Sequence, residues 1–201
     1  MTLTNSTIER LVEWCYKSDI IANIRAQARE EFFGDDEVEA SDYLADTGSF
    51  NGRERRFMGW FTFSFKLPDG RHPAELAAQA ILKEPKLSLT LDAIQKARYV
   101  TGVVTKVMND RGFYVELEDE KFTVNNPMLS RILEKGQLVS AHILPNGQGR
   151  WLVGPGWLTW PFSPGPHLRP RLKTLFQPNP IEVERFLQGK TKTPEEVKNV
   201  E

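Results

Sequence analysis

The sequence predicts an α+β protein: an N-terminal helical domain packed on a small five-stranded OB/SH3-like β-barrel, then a Pro-rich C-terminal arm ending in a short helix. Three observations carry this prediction. Apolar residues recur at helical spacing through the N-terminal region, the period switches to two from Tyr99 onward, and five aromatics stand between the two regimes. With 201 residues, 40% hydrophobic and 26% charged, the chain can bury one substantial core or two small ones. The expected boundaries are 1–97 for the helical domain, 98–156 for the barrel and 157–201 for the arm, helix and frayed tail.

Taken in order, Ser6-Thr7-Ile8-Glu9 has the pattern of a capping box. Ile8, Leu11, Val12, Cys15, Tyr16, Ile20, Ile21, Ile24 and Ala28 follow at helical spacing, so a helix is expected from about residue 7 to Phe33. It should be irregular near Ser18-Asp19 and stop at Gly34. Residues 35–52 read as an acidic loop with a short helical piece around Ala40–Leu44. Arg53 to Phe65 is ambiguous: Phe57, Trp60 and Phe61 have helical spacing, whereas Phe61, Phe63 and Phe65 alternate as in a strand. Leu67-Pro68-Asp69-Gly70 is turn chemistry, and Pro73 suits the first turn of a helix from Ala74 to about Lys83. A further helix is expected from Thr90, its cap, to Arg98.

Beyond it, Tyr99–Met108, Gly112–Glu118, Lys121–Asn125, Gln137–Leu144 and Arg150–Val153 read as strands. Their connections are Asn109-Asp110-Arg111, Asp119-Glu120, a helical excursion over Pro127–Lys135 and the Asn146-Gly147 hairpin. Short strands so spaced suit a barrel, which removes edges that would pair with other chains. Asn179-Pro180-Ile181-Glu182 marks a last helix, about residues 180–188, that ends at Gly189.

Charge is uneven along the chain. Residues 1–50 carry net −7 and residues 51–201 net +6. Glu30 to Asp46 holds eight carboxylates and no Lys or Arg, and Arg53-Glu54-Arg55-Arg56 follows directly. This fits either a solvated loop attracted to a basic helix start or an acidic surface for a basic partner. The apolar runs are too short to span a membrane and no basic-then-apolar leader opens the chain, so cytoplasm is the expected compartment and no membrane partner is expected. Asn5-Ser6-Thr7 then reads as helix-cap chemistry rather than a glycosylation acceptor.

No cofactor or metal is expected. Cys15 is the only cysteine and lies on an apolar stripe, as a packed thiol would. His72, His142 and His167 are 70 and 25 residues apart, without the pairing that metal ligation needs, and His142 reads as a structural strand histidine. Gly147-Gln148-Gly149 and Gly154-Pro155-Gly156 open no helix, so they offer no phosphate cradle. No nucleophile elbow is present.

The helix ending in AREEFFG, the block WFTFSFKLPDGRHPAEL and the downstream barrel together resemble a family of uncharacterised bacterial proteins. Some relatives in that family add a SEC-C motif, a short zinc knuckle. The likeness covers roughly residues 20–155, and its specific part is the aromatic pattern followed by LPDGR and Pro. It implies architecture and no catalytic residue. With one cysteine, this chain lacks the knuckle, and any metal-dependent role of those relatives does not carry over.

Three functions are weighed. The leading expectation is a non-enzymatic interaction or adaptor module for an unknown protein partner, bound at a surface of Trp157, Trp160, Arg169, Arg171 and Lys173. Trp157, Trp160 and Phe162 either cap the barrel or form that surface. The alternative is single-stranded RNA binding on the barrel, with Tyr114 (and Phe122 beside it) for stacking and Lys106, Arg111, Lys121 and Arg150 for the backbone. Alternation sends Phe113, Val115 and Leu117 inward, gives Phe122 and Val124 the pattern of core residues, and puts Tyr114 nearly alone outside with Glu116 and Glu118, whose carboxylates disfavour phosphate. Third is an enzyme using the polar turn Asp69, Arg71 and His72. The aromatics Phe57, Trp60, Phe61, Phe63 and Phe65 are expected to form the joint between the domains.

Overall fold

The computed structural model describes residues 2–34, 52–117, 120–159 and 179–187. The acidic loop with its expected helical piece, Glu118, the connector over residues 160–178 with His167, and the C-terminal tail lie outside these.

Helix α1 spans Asn5–Lys17 and is capped by Thr4, not by Ser6. Thr4 is extended, and its hydroxyl accepts from the Thr7 N–H at 3.3 Å. The shift has a tertiary cause. The Leu3 N–H donates to the Asn146 carbonyl of the barrel hairpin at 3.2 Å, and Leu3 and Ile8 bury together, stapling the helix entry at Thr4. The expected irregularity is present: Ser18 is extended, a 3₁₀ turn covers Asp19–Ile21, and α2 (Ala22–Phe33) stops at Gly34. That turn resets the helical phase, which leaves Ile20 79% exposed rather than on the apolar stripe.

The ambiguous aromatic block is helix α3 (Arg53–Phe63). Phe57 stacks on Phe61 with centroids 5.8 Å apart and meets Phe32 and Phe33 of α2 at 5.7 and 5.8 Å. These rings lie in one buried cluster that holds the helices' apolar residues and also Leu144 and Leu152 of the barrel. Helix α4 (Pro73–Ile81) starts at Pro73 as expected. Helix α5 spans Lys86–Gln95, so Thr90 is an interior residue whose buried hydroxyl bonds the Lys86 carbonyl at 2.8 Å.

The strands are β1 (Arg98–Met108), β2 (Gly112–Leu117), β3 (Glu120–Val124), β4 (Leu138–Pro145) and β5 (Trp151–Val153), with an unforeseen β6 (Leu158–Thr159). Their order is β1-β2-β3-β5-β4, and β1–β4 pairing closes the barrel; β3 and β5 run parallel and the other pairs antiparallel. The helical excursion is reduced to a 3₁₀ turn, Leu129–Arg131. Val104, Phe113, Val115, Phe122 and Val124 fill the barrel, leaving about 10 Å³, no more than one water needs. No small ligand fits inside.

Leu144 and Leu152 of the barrel enter the helical core, and Phe63 of α3 lies 6.2 Å from the His142 ring. The closest approach is backbone on backbone. A Cβ at Gly59 would stand 2.5 Å from the Pro155 carbonyl oxygen, and one at Gly156 would stand 2.4 Å from the backbone of Arg55 and Arg56. The Gly-Pro-Gly loop therefore exists for contact with α3. Helix α6 (Pro180–Leu187) packs on α2 and α3. Among the described residues no helix is long and apolar enough to cross a membrane.

Candidate functional site

Tyr114 is the outward aromatic of β2, as alternation requires: Phe113 and Val115 are buried, whereas Tyr114 is half-buried and Glu116 exposed. Its neighbours come from β1 and β3. Lys106 stands opposite Tyr114 in register, and Lys121 stands opposite Glu116. The two ammonium groups lie 5.9 Å (Lys106) and 5.6 Å (Lys121) from the Tyr114 ring centroid, within cation–π range.

Lys106 reaches this face because of a β-bulge. Val104 pairs with Val115 inside the barrel, yet Lys106 pairs with Tyr114 outside, so the register slips by one residue at Thr105. Without the slip, strict alternation from Val104 would turn Lys106 inward. Thr105 bears the cost: its buried hydroxyl oxygen lacks a hydrogen-bond partner.

The row extends across the sheet. Tyr114 pairs with Thr123, and Val124 pairs with Trp151, which sets the exposed Arg150 beside Thr123. Arg111 is exposed in the β1–β2 turn, after Asp110, which pairs with Arg131 at 2.6 Å. Glu116 is the face's described acid, and its register partner is a lysine, so Lys106 leaves the surround of Tyr114 positive. Phe122 is 4% exposed, a core residue with the Arg98 guanidinium 5.4 Å from its ring centroid, and offers no stacking surface.

The other predicted surface is corrected. Trp157 is 7% exposed and packs inside the barrel, because the Gly-Pro-Gly loop folds back and β6 pairs with β4 through Ser140 and Leu158. It presents no partner surface. Trp160, Arg169, Arg171 and Lys173 lie outside the described residues.

In the polar turn, Asp69 accepts from the Arg71 guanidinium at 2.5 and 2.9 Å and from its backbone N–H at 3.0 Å. The side-chain bond to Arg71 holds the Asp69 carboxyl below its usual range. The Glu75 carboxylate accepts from the His72 N–H at 2.7 Å, and His72 Nδ1 sits 2.9 Å from the Phe65 carbonyl oxygen. Burial lowers the His72 pKa. These groups satisfy one another and start α4; they do not converge on a substrate position.

A part-buried pair escaped the sequence reading. Ser64 Oγ and His142 Nε2 are 2.8 Å apart, joining α3's C-terminus to β4 across 78 positions. His142 is 3% exposed, and burial, with a smaller contribution from His72, pushes its pKa down to about 3. The Tyr99 ring lies 4.8 Å away, and burial raises its phenol pKa. A neutral imidazole facing a serine has the composition of a nucleophilic dyad; here the histidine is buried and the serine half-buried. His142 is thus the hydrogen-bonded strand histidine that was expected. Cys15 is fully buried, and burial pushes its thiol up to about 12.

One further feature lacks the chemistry of a site. An open groove of about 550 Å³ on α1 is lined by Arg10, Glu13, Trp14, Lys17, Ile20 and Ile81, but Lys17 and Glu13 pair with each other at 2.7 Å. Among the described residues no group of three His, Cys, Asp or Glu side chains could hold a metal ion. Compared with known families, curated proteins and solved structures, the chain matches none.

Proposed function

We propose that this protein is a non-enzymatic binding module whose barrel face takes single-stranded nucleic acid, RNA above all. The observation that supports it is the placement of Lys106 and Lys121 on either side of outward-facing Tyr114. Single-strand binders combine an aromatic platform, on which any base stacks, with cations that follow the phosphates. Tyr114 supplies the platform, Lys106 and Lys121 the nearest cations, and Arg150 and Arg111 extend the charge along the row and its turn. Glu116 opposes phosphate, and the facing Lys121 offsets it. The competing expectation, a protein-binding surface at Trp157, loses its anchor with that residue buried.

Fluorescence anisotropy with a labelled oligouridine of about ten nucleotides tests this. Binding should appear at about 50 mM salt and weaken with a log–log slope of about −1.5 to −2, as two to three phosphate contacts give. Tyr114→Ala should weaken it by about 1–3 kcal/mol, one stacked base, and Lys106→Ala should flatten the slope by about 0.7. Absence of binding at low salt, or affinity indifferent to Tyr114→Ala, would overturn the proposal.

A further inference from the structure

Helix α6 has one buried face. Pro180, Val183 and Glu184, spaced i, i+3 and i+4, are buried, while Glu182 and Arg185 are exposed. Val183, 1% exposed, packs on the outer wall of the barrel against Val103, Leu138, Leu158 and Tyr99. Ile181 packs against the helical core. Glu184, equally buried, accepts from Arg53 Nε at 2.9 Å and from Arg56 Nε at 2.7 Å, one carboxylate oxygen for each. The helix thus lies in a groove with an apolar wall from the barrel and a cationic wall from α3.

Those walls are held by other contacts. β1 pairs with β2 and β4, and α3 packs on α1, α2 and α4. Helix α6, by contrast, has eight residues, far below the length at which a helix holds its shape alone in water. It is folded by the groove, and residues 160–178 separate it from β6. Its relation to the groove is that of a docked amphipathic peptide.

We infer that this groove is a helix-binding site which α6 plugs in cis. The partner it takes in trans is an acidic amphipathic helix with the same apolar-x-x-apolar-Glu face. The apolar wall supplies contact area, and the two arginines select the acid and fix the register of the helix. A helix without that carboxylate would cover Arg56, 11% exposed, with an apolar face where Glu184 now meets its guanidinium. Val103 of its apolar wall stands opposite Glu116 in register, so the groove borders the Tyr114 row; it uses none of Tyr114, Lys106 or Lys121, and the inference stands or falls independently of the nucleic-acid reading.

The test uses a fluorescently labelled peptide of residues 179–187 and full-length protein, either wild type or carrying Val183→Asp with Glu184→Lys to eject α6. The ejected variant should bind the peptide, and wild type about a hundredfold more weakly, because the tethered helix competes at high effective concentration. A peptide carrying Glu184→Lys should not bind. Equal binding to both proteins overturns the inference, as does no binding by a variant that still unfolds cooperatively. Should the variant not unfold cooperatively, hydrogen exchange of the wild type decides. Amides of α6 exchanging about a hundredfold faster than those of α1 and α3 support an exchangeable plug; equal protection refutes it.

Discussion

Lowering the pH tests the buried seam between the helices and the barrel. His142 is enclosed by Ser64, Tyr99, Phe63 and the Gly154 backbone, and its pKa drops from the ordinary 6.5 to about 3. Between those values the unfolded chain binds a proton that the folded chain rejects, so stability rises with pH across that window. The contribution is complete above pH 6.5 and falls by about 1.4 kcal/mol per pH unit below it. Over the whole window that amounts to roughly 4–5 kcal/mol, and at pH 5 to roughly 2 kcal/mol. Urea unfolding of wild type and His142→Gln over a pH series isolates the effect, because carboxylates such as Asp69 and Glu13 titrate alike in both proteins. The stability difference between them should be flat above neutrality and shift steadily in favour of the variant as pH falls. A difference independent of pH would refute the reasoning, since it would mean that His142 is hydrated or accepts a proton in the folded state.

Two further outcomes follow from packing. Gly59→Ala should cost about 1–3 kcal/mol, because its methyl would stand 2.5 Å from the Pro155 carbonyl oxygen and force α3 from the loop; a calorimetric Tm equal to wild type would contradict the contact. Cys15 should resist a thiol reagent in the native protein and react once urea unfolds it, since burial pushes its thiol up to about 12. Prompt native-state labelling would show that the helical core opens.

Much of the candidate site was legible, and the exceptions share a cause. Tyr114 with its inward neighbours Phe113 and Val115 followed from period-two alternation, which depends on local backbone geometry alone. Lys106 was a candidate by proximity in sequence, but its outward direction depends on the bulge at Thr105, which carries no turn residue to announce it. Glu116 was read as repelling phosphate; the register of β2 on β3 sets Lys121 opposite it, a pairing alternation does not specify. The Ser64–His142 bond joins residues 78 positions apart, and no local pattern encodes such a separation.

The amino-acid sequence by itself determined the elements with strong local signals. These are the break at Ser18-Asp19, the stop at Gly34, the Pro73 start of α4, the strands from β1 to β5 and the last helix. Each depends on dihedral preference or on hydrophobic period, which act within a few residues. Tertiary structure decided what competes across the chain. It made the aromatic block helical by giving Phe57 and Trp60 the rings of α2 to pack on. It moved the first cap to Thr4 through the barrel hairpin, and it drew Trp157 into the barrel. It also buried Glu184 between Arg53 and Arg56, more than a hundred residues away. Burial of apolar area and pairing of buried charge depend on which surfaces meet, and only the folded chain brings those surfaces together.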